Sequence, residues 1–228
     1  EGKRCLDVGC NSGAVTIEIA RTLGCRHIMG VDIDPSLILK ARSNLRWKAS
    51  SLSPDDGEGG KKPPLAPPQS VLAHKGGETR ASRGPPSDTL PDPDEHPFDF
   101  PYNCGFRRED FVESKHPDCT YDCVLALSIT KWVHFNGGDA AIKAFFRKVF
   151  ESLSVGGVFV LEWQEWSSYK KKKSLTPEFK KNCAEIQLKP DMFEKYLLKE
   201  VGFRSVETLQ PPESPSTAFS RPLQVFLR

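Results

Sequence analysis

The chain has 228 residues and a formal net charge of +2, from 32 Lys+Arg against 30 Asp+Glu, with 19 Pro, 17 Gly and 7 Cys. That length suffices for a sizeable core without staples, and no run approaches the roughly 18 apolar residues of a membrane-spanning helix. The cysteines, at positions 5, 10, 25, 104, 119, 123 and 183, are odd in number and form no Cys-x-x-Cys pair. Neither a disulfide framework nor a zinc site is signalled, and a reducing compartment, cytosol or nucleus, is expected.

The sequence starts at Glu1 and soon enters the apolar run Arg4-Cys5-Leu6-Asp7-Val8, so it reads as a fragment that opens on a strand. The loop Gly9-Cys10-Asn11-Ser12-Gly13 follows. Ala14 to Leu23, with Val15, Ile19 and Leu23 four apart and neither Pro nor Gly, predicts a helix. His27 to Ile33 is the second strand. Asp34 caps the next helix, with Pro35 at its first position and Leu37, Ile38, Ala41 and Leu45 on one face. Two strand-loop-helix units in a row imply a parallel sheet with right-handed crossovers.

Residues 49–101 hold 11 of the 19 prolines and six of the glycines, with five Lys/Arg against nine Asp/Glu, a net of −4. Such a composition buries too little surface to offset its ordering entropy and predicts a disordered insertion. The rest of the chain then carries 27 basic against 21 acidic residues, or +6. A polyanionic partner becomes plausible, although a solvated basic surface would look the same.

Beyond the insertion, Gly105 to Val112 is a third strand, and Tyr121 to Leu127 is apolar enough for a central strand buried on both faces. Asp139 opens an amphipathic helix with Ile142, Phe145, Phe146, Val149, Phe150 and Leu153 on one side, which stops at Gly156-Gly157. Val158 to Glu162 is the next strand. Thr176-Pro177 and Lys189-Pro190 are helix starts, and Phe203 to Leu209 with Leu223 to Leu227 supply a last pair of strands. The expected architecture is one α/β domain over residues 1–228, interrupted at 49–101. Its Rossmann-like, mostly parallel seven-stranded sheet has helices on both faces and ligands at the carboxyl ends of the strands.

Gly9 permits a tight turn, and Asp32, 23 residues further on at the end of the second strand, suits the two ribose hydroxyls of an adenosine. A dinucleotide loop would read Gly-x-Gly-x-x-Gly; here Asn11 takes the middle position and the spacing is Gly9 to Gly13. Asp7 would sit badly beside a pyrophosphate but well beside a cation. S-adenosylmethionine, with an ammonium and a sulfonium, is therefore expected as cofactor, S-adenosylhomocysteine as product, and no metal. The alternatives are a nicotinamide cofactor or a purely structural turn.

Methyl transfer is an in-line displacement, for which the protein positions a nucleophile and matches its charge. Amine-directed nucleic-acid methyltransferases often carry Asn/Asp-Pro-Pro-aromatic after the fourth strand; this chain has Ser128-Ile129-Thr130-Lys131-Trp132-Val133-His134. No Pro-Cys dipeptide is present for cytosine-C5 chemistry. Lys131, Trp132, His134 and Asn136 follow the fourth strand; Glu162 to Tyr169, with Gln164 and Trp166, follows the fifth, then the lysines from Lys170 and Lys171 to Lys173. Aromatics interleaved with cations fit a single-stranded nucleic-acid end. Singly, each has a plainer reading as core tryptophan, structural histidine or solvated loop.

These strings carry a resemblance. Leu6 to Gly13, Val31 to Asp34, Ser128 to Asp139, Trp166 to Tyr169 and Ile186 to Pro190 resemble the Bicoid-interacting-protein-type RNA methyltransferases, above all their methylphosphate capping branch. The resemblance implies a class I S-adenosylmethionine-dependent methyltransferase that acts on the 5′ γ-phosphate of a small noncoding RNA such as 7SK. It also implies a nuclear or else cytoplasmic site of action, a monomeric domain, and a La-related protein as partner in a ribonucleoprotein. In the family a Tyr- and Arg-rich segment precedes the first strand, and a low-complexity insertion lies where residues 49–101 lie here. Cofactor contacts carry over onto Gly9, Cys10, Asn11, Asp32, Ile33, Leu127, Asp110 and Phe111. Where the family has Glu-Pro-Gln-Pro-Trp this chain has Glu162-Trp163-Gln164-Glu165-Trp166, which puts an extra carboxylate, Glu165, beside the expected substrate loop.

A terminal phosphate, with a second pKa of about 6, is already anionic near neutral pH and needs no strong base. It needs a cationic clamp, expected from Lys131 and His134, with Gln164 and Tyr169 as hydrogen-bonding positioners. Trp132 and Trp166 are expected as stacking surfaces, and Asn136, Glu162, Lys170 and Lys171 as further substrate contacts. The remaining alternatives are a 5′-monophosphate RNA end, a small anionic metabolite, or a non-catalytic RNA 5′-end binder.

Overall fold

The computed structural model describes residues 2–51, 98–115, 119–170, 176–211 and 221–228. Most of the expected insertion, and Lys171, lie outside the described residues. In chain order the elements are β1 (Arg4–Val8), α1 (Ala14–Thr22), β2 (His27–Asp32), α2 (Pro35–Ser50), β3 (Cys104–Arg108) and β4 (Tyr121–Leu127). Then come α3 (Thr130–Ser152), β5 (Leu153–Glu162), α4 (Trp166–Lys170), α5 (Pro177–Glu185), α6 (Phe193–Tyr196), β6 (Ser205–Leu209) and β7 (Leu223–Leu227).

The seven strands form one sheet in the order β3-β2-β1-β4-β5-β7-β6. Neighbours from β3 to β5 pair in parallel, and β7 runs antiparallel to both β5 and β6. The chain builds outward from β1 to β3 and then restarts on the other side with β4, so the carboxyl ends of β1 and β4 flank the switch point where such sheets bind ligands.

Period-2 alternation sends Leu6, Val8, Val124, Ala126, Phe159 and Leu161 to one face, packed on Ile142, Phe145, Phe146 and Val149 of α3. Cys5, Ile28, Cys104, Phe106 and Leu125 cover the other, against Ile17 and Ala20 of α1 and Ile38 and Ala41 of α2. Phe145, Phe146 and Phe159 are fully buried, each worth about 1.5–3 kcal/mol. Cys5 and Cys123 lie side by side across β1 and β4, and all seven cysteines are free thiols.

Several boundaries differ from the expected ones. In α1 the buried residues are Thr16, Ile17 and Ala20, while Val15 and Leu23 are 47% and 69% exposed. The Thr16 hydroxyl donates to Asp7 Oδ2 at 2.6 Å and joins this face of the helix to β1, while of the expected stripe only Ile19 packs, partly buried, on the core. The third strand ends at Arg108, leaving Asp110 to Val112 in a turn. The long helix begins at Thr130, not Asp139, and is broken at Gly137 and Gly138, whose backbone is non-helical. It also ends earlier, at Ser152; Gly156 and Gly157 lie within β5. Pro190 starts only a 3₁₀ turn to Met192, which runs through α6 into a π turn at Leu197–Val201. Helix α2 continues through Ala49 and Ser50, past the expected start of the insertion.

Candidate active site

The loop after β1 is shaped by its own backbone. Gly9 and Gly13 have φ of 76°, and Asn11 has φ of 53°. A Cβ on Gly9 would come within 2.4 Å of Ile129 Cδ1, and one on Gly13 within 2.5 Å of the Phe106 ring, so both positions require glycine by space as well as by dihedral angle. The Gly9 and Cys10 N–H groups donate to Val31 O at 2.8 and 3.0 Å. Asp32 closes the arrangement: its Oδ2 accepts the Asn11 N–H and its Oδ1 the Asp34 N–H, both at 3.0 Å.

Above the switch point lies a cavity of about 1070 Å³. Of the predicted cofactor residues, Asp7, Gly9, Cys10, Asn11, Asp32, Ile33, Asp110, Phe111 and Leu127 line it. Gly13 does not; it sits at the N-cap of α1, where it lets the loop meet the helix. Of the predicted acceptor residues, Lys131, Trp132, Asn136, Glu162 and Gln164 line the same cavity. Among the described residues no group of three or more His, Cys, Asp or Glu is placed to hold a metal ion.

Asp7 is 3% exposed. Burial pushes its carboxyl up from 3.8 to about 6; the Thr16 hydrogen bond opposes the shift and nearby Asp32 adds to it. Folded Asp7 therefore keeps its proton to higher pH than an unfolded aspartate, and without ligand this group costs stability as pH rises through 3.8 to about 6. Binding of a cation has the opposite sign, because only the carboxylate attracts it. S-adenosylhomocysteine, which retains the ammonium, is expected to bind several-fold more weakly as pH falls from 7.5 to 5.5, roughly as expected for a site titrating near 6. In an Asp7→Asn variant this slope should be absent from calorimetric titrations.

At the other end of the cavity, the chain turns from β4 into α3 at Ser128, a non-glycine residue with φ of 60°. The Ser128 N–H donates to Glu162 O at 2.9 Å, its carbonyl accepts from Gln164 Nε2 at 2.6 Å, and its hydroxyl donates to Glu162 Oε1 at 2.8 Å. These bonds hold a left-handed conformation that a serine would not adopt unaided. The helix that follows presents Lys131, 9% exposed, with Nζ 5.7 Å from the ring centre of Trp132, itself 40% exposed. Asn136 donates to Trp132 O at 2.9 Å. Gln164 is 5% exposed, and its Oε1 has no hydrogen-bond partner among the described residues.

His134 and Tyr169 depart from their expected place. Both are fully buried and neither lines the cavity. His134 Nδ1 lies 3.0 Å from the Tyr169 hydroxyl and Nε2 lies 3.8 Å from Asp139 Oδ1, with the Phe193 ring 5.6 Å from the imidazole. Burial pushes His134 down to about 4, against the pull of Asp139, and pushes the Tyr169 phenol up. The neutral imidazole shares a hydrogen bond with the Tyr169 hydroxyl through Nδ1, while its Nε2 has no hydrogen-bond partner among the described residues. The expected clamp therefore divides: Lys131 faces the cavity, whereas His134 and Tyr169 lie behind it and brace the first half of α3 against α4.

Trp166 is half-buried, with Tyr169 at 4.9 Å and Lys189 Nζ at 5.7 Å from its ring; it does not line the cavity, nor does exposed Lys170. Glu165 is exposed outside the cavity and accepts from the Ser167 hydroxyl at 3.2 Å. Among the lining residues with no role expected from sequence are Ser128 and Arg221. Arg221 Nε donates to Glu162 Oε1 and Nη2 to Ser128 Oγ. Ser128 belongs to the run that follows the fourth strand, and nothing local to Arg221 signals its position.

A seven-stranded Rossmann-like sheet with a glycine loop, an acid at the end of β2 and a cavity at the switch point is the fold of S-adenosylmethionine-dependent methyltransferases. A solved S-adenosylmethionine-dependent methyltransferase from Methanosarcina mazei shares it, with a TM-score of 0.52 at 16% identity over 100% of this chain and 91% of that one. A family model described as a methyltransferase domain matches residues 5–59, and one described as Bicoid-interacting protein 3 matches residues 121–228. The chain is 39% identical over 99% of its length to the mouse 7SK snRNA methylphosphate capping enzyme, of which it spans 36%. To a protein of Arabidopsis thaliana named as a probable RNA methyltransferase it is 38% identical over 99% of its length, spanning 70% of that protein. The chain belongs to the Bicoid-interacting protein 3 family.

Proposed function

We propose that this protein transfers a methyl group from S-adenosylmethionine to the 5′ γ-phosphate of a small noncoding RNA. The observation that carries the reading is Lys131, a cation built into the cavity wall at the switch point beside an exposed tryptophan, in a chain whose mouse relative is a 7SK snRNA methylphosphate capping enzyme.

The residues fit the cofactor. Asp7 supplies a buried carboxylate for a cationic ligand, Gly9 a close backbone approach, and Asp32 lone pairs beyond those its backbone bonds occupy. Cys10, Asn11, Ile33, Asp110, Phe111 and Leu127 complete the wall. S-adenosylmethionine bound there supplies an electrophilic methyl on a sulfonium. The phosphate oxygen needs no proton removed near neutral pH, so the chain's task is orientation. Lys131 holds the anion, Trp132 offers an aromatic face to the first base, and Gln164 fixes the Ser128 turn that aims Lys131. His134 and Tyr169 act as positioning residues behind that helix. Lys170, exposed outside the cavity, adds positive charge on the RNA side.

The same reading treats residues 1–228 as one domain, supported by a sheet whose strands come from both ends of the chain. It gives the protein a nuclear site of action, a monomeric domain and a La-related partner. The decisive assay incubates the full-length protein and methyl-labelled S-adenosylmethionine with 5′-triphosphate, 5′-monophosphate and 5′-hydroxyl RNAs of one sequence. Label on the triphosphate RNA alone is expected. Label on the monophosphate RNA would move the acceptor, and equal label on the hydroxyl RNA would remove the phosphate chemistry altogether.

A further inference from the structure

The charges lining the cavity are unevenly distributed. Among the described residues the lining has seven acids, Asp7, Asp32, Asp34, Glu109, Asp110, Glu113 and Glu162, and two cations, Lys131 and Arg221. An acidic wall suits a cationic cofactor but repels an acceptor carrying several phosphate charges. One lysine answers a single phosphate. Arg221 stands just before β7, its side chain about one-third exposed at 33%, and Glu162, at 14%, is its ion-pair partner.

The pair is largely withdrawn from water, so the cost of desolvating both charges offsets much of their attraction and stability alone is a poor reason for it. Its geometry has another consequence. The guanidinium uses Nε on Glu162 and Nη2 on Ser128 Oγ, two of its five N–H groups. Ser128 forms the turn into α3, and Glu162, at the end of β5, is hydrogen-bonded to it, so Arg221 is fixed relative to Lys131, three residues after Ser128. The remaining N–H groups form a planar fork, which matches phosphate oxygens in a way that a lysine ammonium does not. Glu162 Oε1 accepts from both Ser128 and Arg221 and offsets the guanidinium charge.

We propose that Arg221 is a second anion-binding residue of the acceptor site, reading the polyphosphate character of the RNA 5′ end, and that Glu162 moderates its strength while holding it in place. The inference rests on the phosphate reading above and adds to it a basis for preferring a triphosphate over a monophosphate. It makes the two partners of one ion pair behave in opposite ways.

The test measures binding of 5′-triphosphate, 5′-monophosphate and 5′-hydroxyl RNAs of one sequence to the full-length protein with S-adenosylhomocysteine present, so that no turnover is needed. Arg221→Gln is expected to weaken triphosphate RNA about tenfold or more, and to lower the slope of log affinity against log salt by about 0.7. It should leave 5′-hydroxyl RNA and S-adenosylhomocysteine affinity nearly unchanged. Arg221→Lys should recover part of the loss. Glu162→Gln keeps an acceptor oxygen for Ser128 and Arg221 but removes the opposing charge, and is expected to tighten triphosphate RNA several-fold. If both variants weaken RNA and cofactor alike with a lowered Tm, the pair is structural and the inference is wrong. If Arg221→Gln binds triphosphate RNA as the parent does, it is wrong as well. Arg221-dependent triphosphate binding by a parent protein that transfers no methyl to RNA would overturn the activity reading and leave this one standing.

Discussion

Lys131→Ala is expected to lower kcat/KM for 5′-triphosphate RNA by about two to three orders of magnitude, the usual effect of losing a preorganised donor aimed at a reacting anion. S-adenosylhomocysteine affinity should stay within about twofold of the parent, because the loop that shapes the cofactor end is held by Asp32 and Val31, not by Lys131. The lysine stem is nearly buried at 9% exposure, so the methylenes contribute packing as well as charge. Lys131→Met keeps most of that packing and should lose activity to a similar degree, whereas Lys131→Arg should retain part of it. Steady-state kinetics with triphosphate RNA, beside thermal unfolding of each variant, separate a lost cation from a loosened helix. Parental kcat/KM in Lys131→Met would remove this lysine from the acceptor site.

Much of this geometry is legible in the sequence because local chemistry and tertiary packing agree. Tyr121 to Leu127 has no polar break except Asp122 and forms β4 with the expected bounds. Asp34 accepts the Ser36 N–H at 2.8 Å and Thr176 the Phe179 N–H at 3.0 Å, each ahead of a proline at the first helical turn, so both helices start where caps predict. What failed depends on contacts between distant segments. In α1 the buried face is Thr16, Ile17 and Ala20, and its Thr16–Asp7 bond to β1 is one that no periodicity encodes. His134 stands three residues from Lys131 yet turns inward, because α4 and α6 bring Tyr169 and Phe193 against it. The Gly137-Gly138 break hid the first half of α3, whose N-cap, Ile129, offers no capping side chain. Arg221 is 93 residues from Ser128 and reaches it only because β7 inserts beside β5, a pairing that is set by the whole sheet.

Asp32→Ala and Asp32→Asn are both expected to reduce S-adenosylhomocysteine affinity by about a hundredfold or more, from charge-assisted bonds worth roughly 1.5–3 kcal/mol each at about 1.4 kcal/mol per factor of ten. From sequence alone Asp32 is a ligand for ribose hydroxyls. In the structure it is also a strut, whose two oxygens accept the Asn11 and Asp34 N–H groups and join the glycine loop to the start of α2. An asparagine keeps one acceptor oxygen and turns an NH₂ toward the other backbone donor, so the nearly isosteric change should be almost as damaging as truncation. Asn11, with φ of 53°, has its own side chain committed to the Ser12 N–H at 2.7 Å and cannot substitute for the lost anchor. Calorimetry gives the affinity directly, and thermal unfolding with and without S-adenosylhomocysteine gives it independently, since a ligand that no longer binds no longer raises Tm. An Asp32→Asn variant with near-parental affinity would mean that neither strut nor ribose contact needs a second carboxylate oxygen. Glycine-loop geometry would then rest on the Gly9 and Cys10 bonds to Val31 alone.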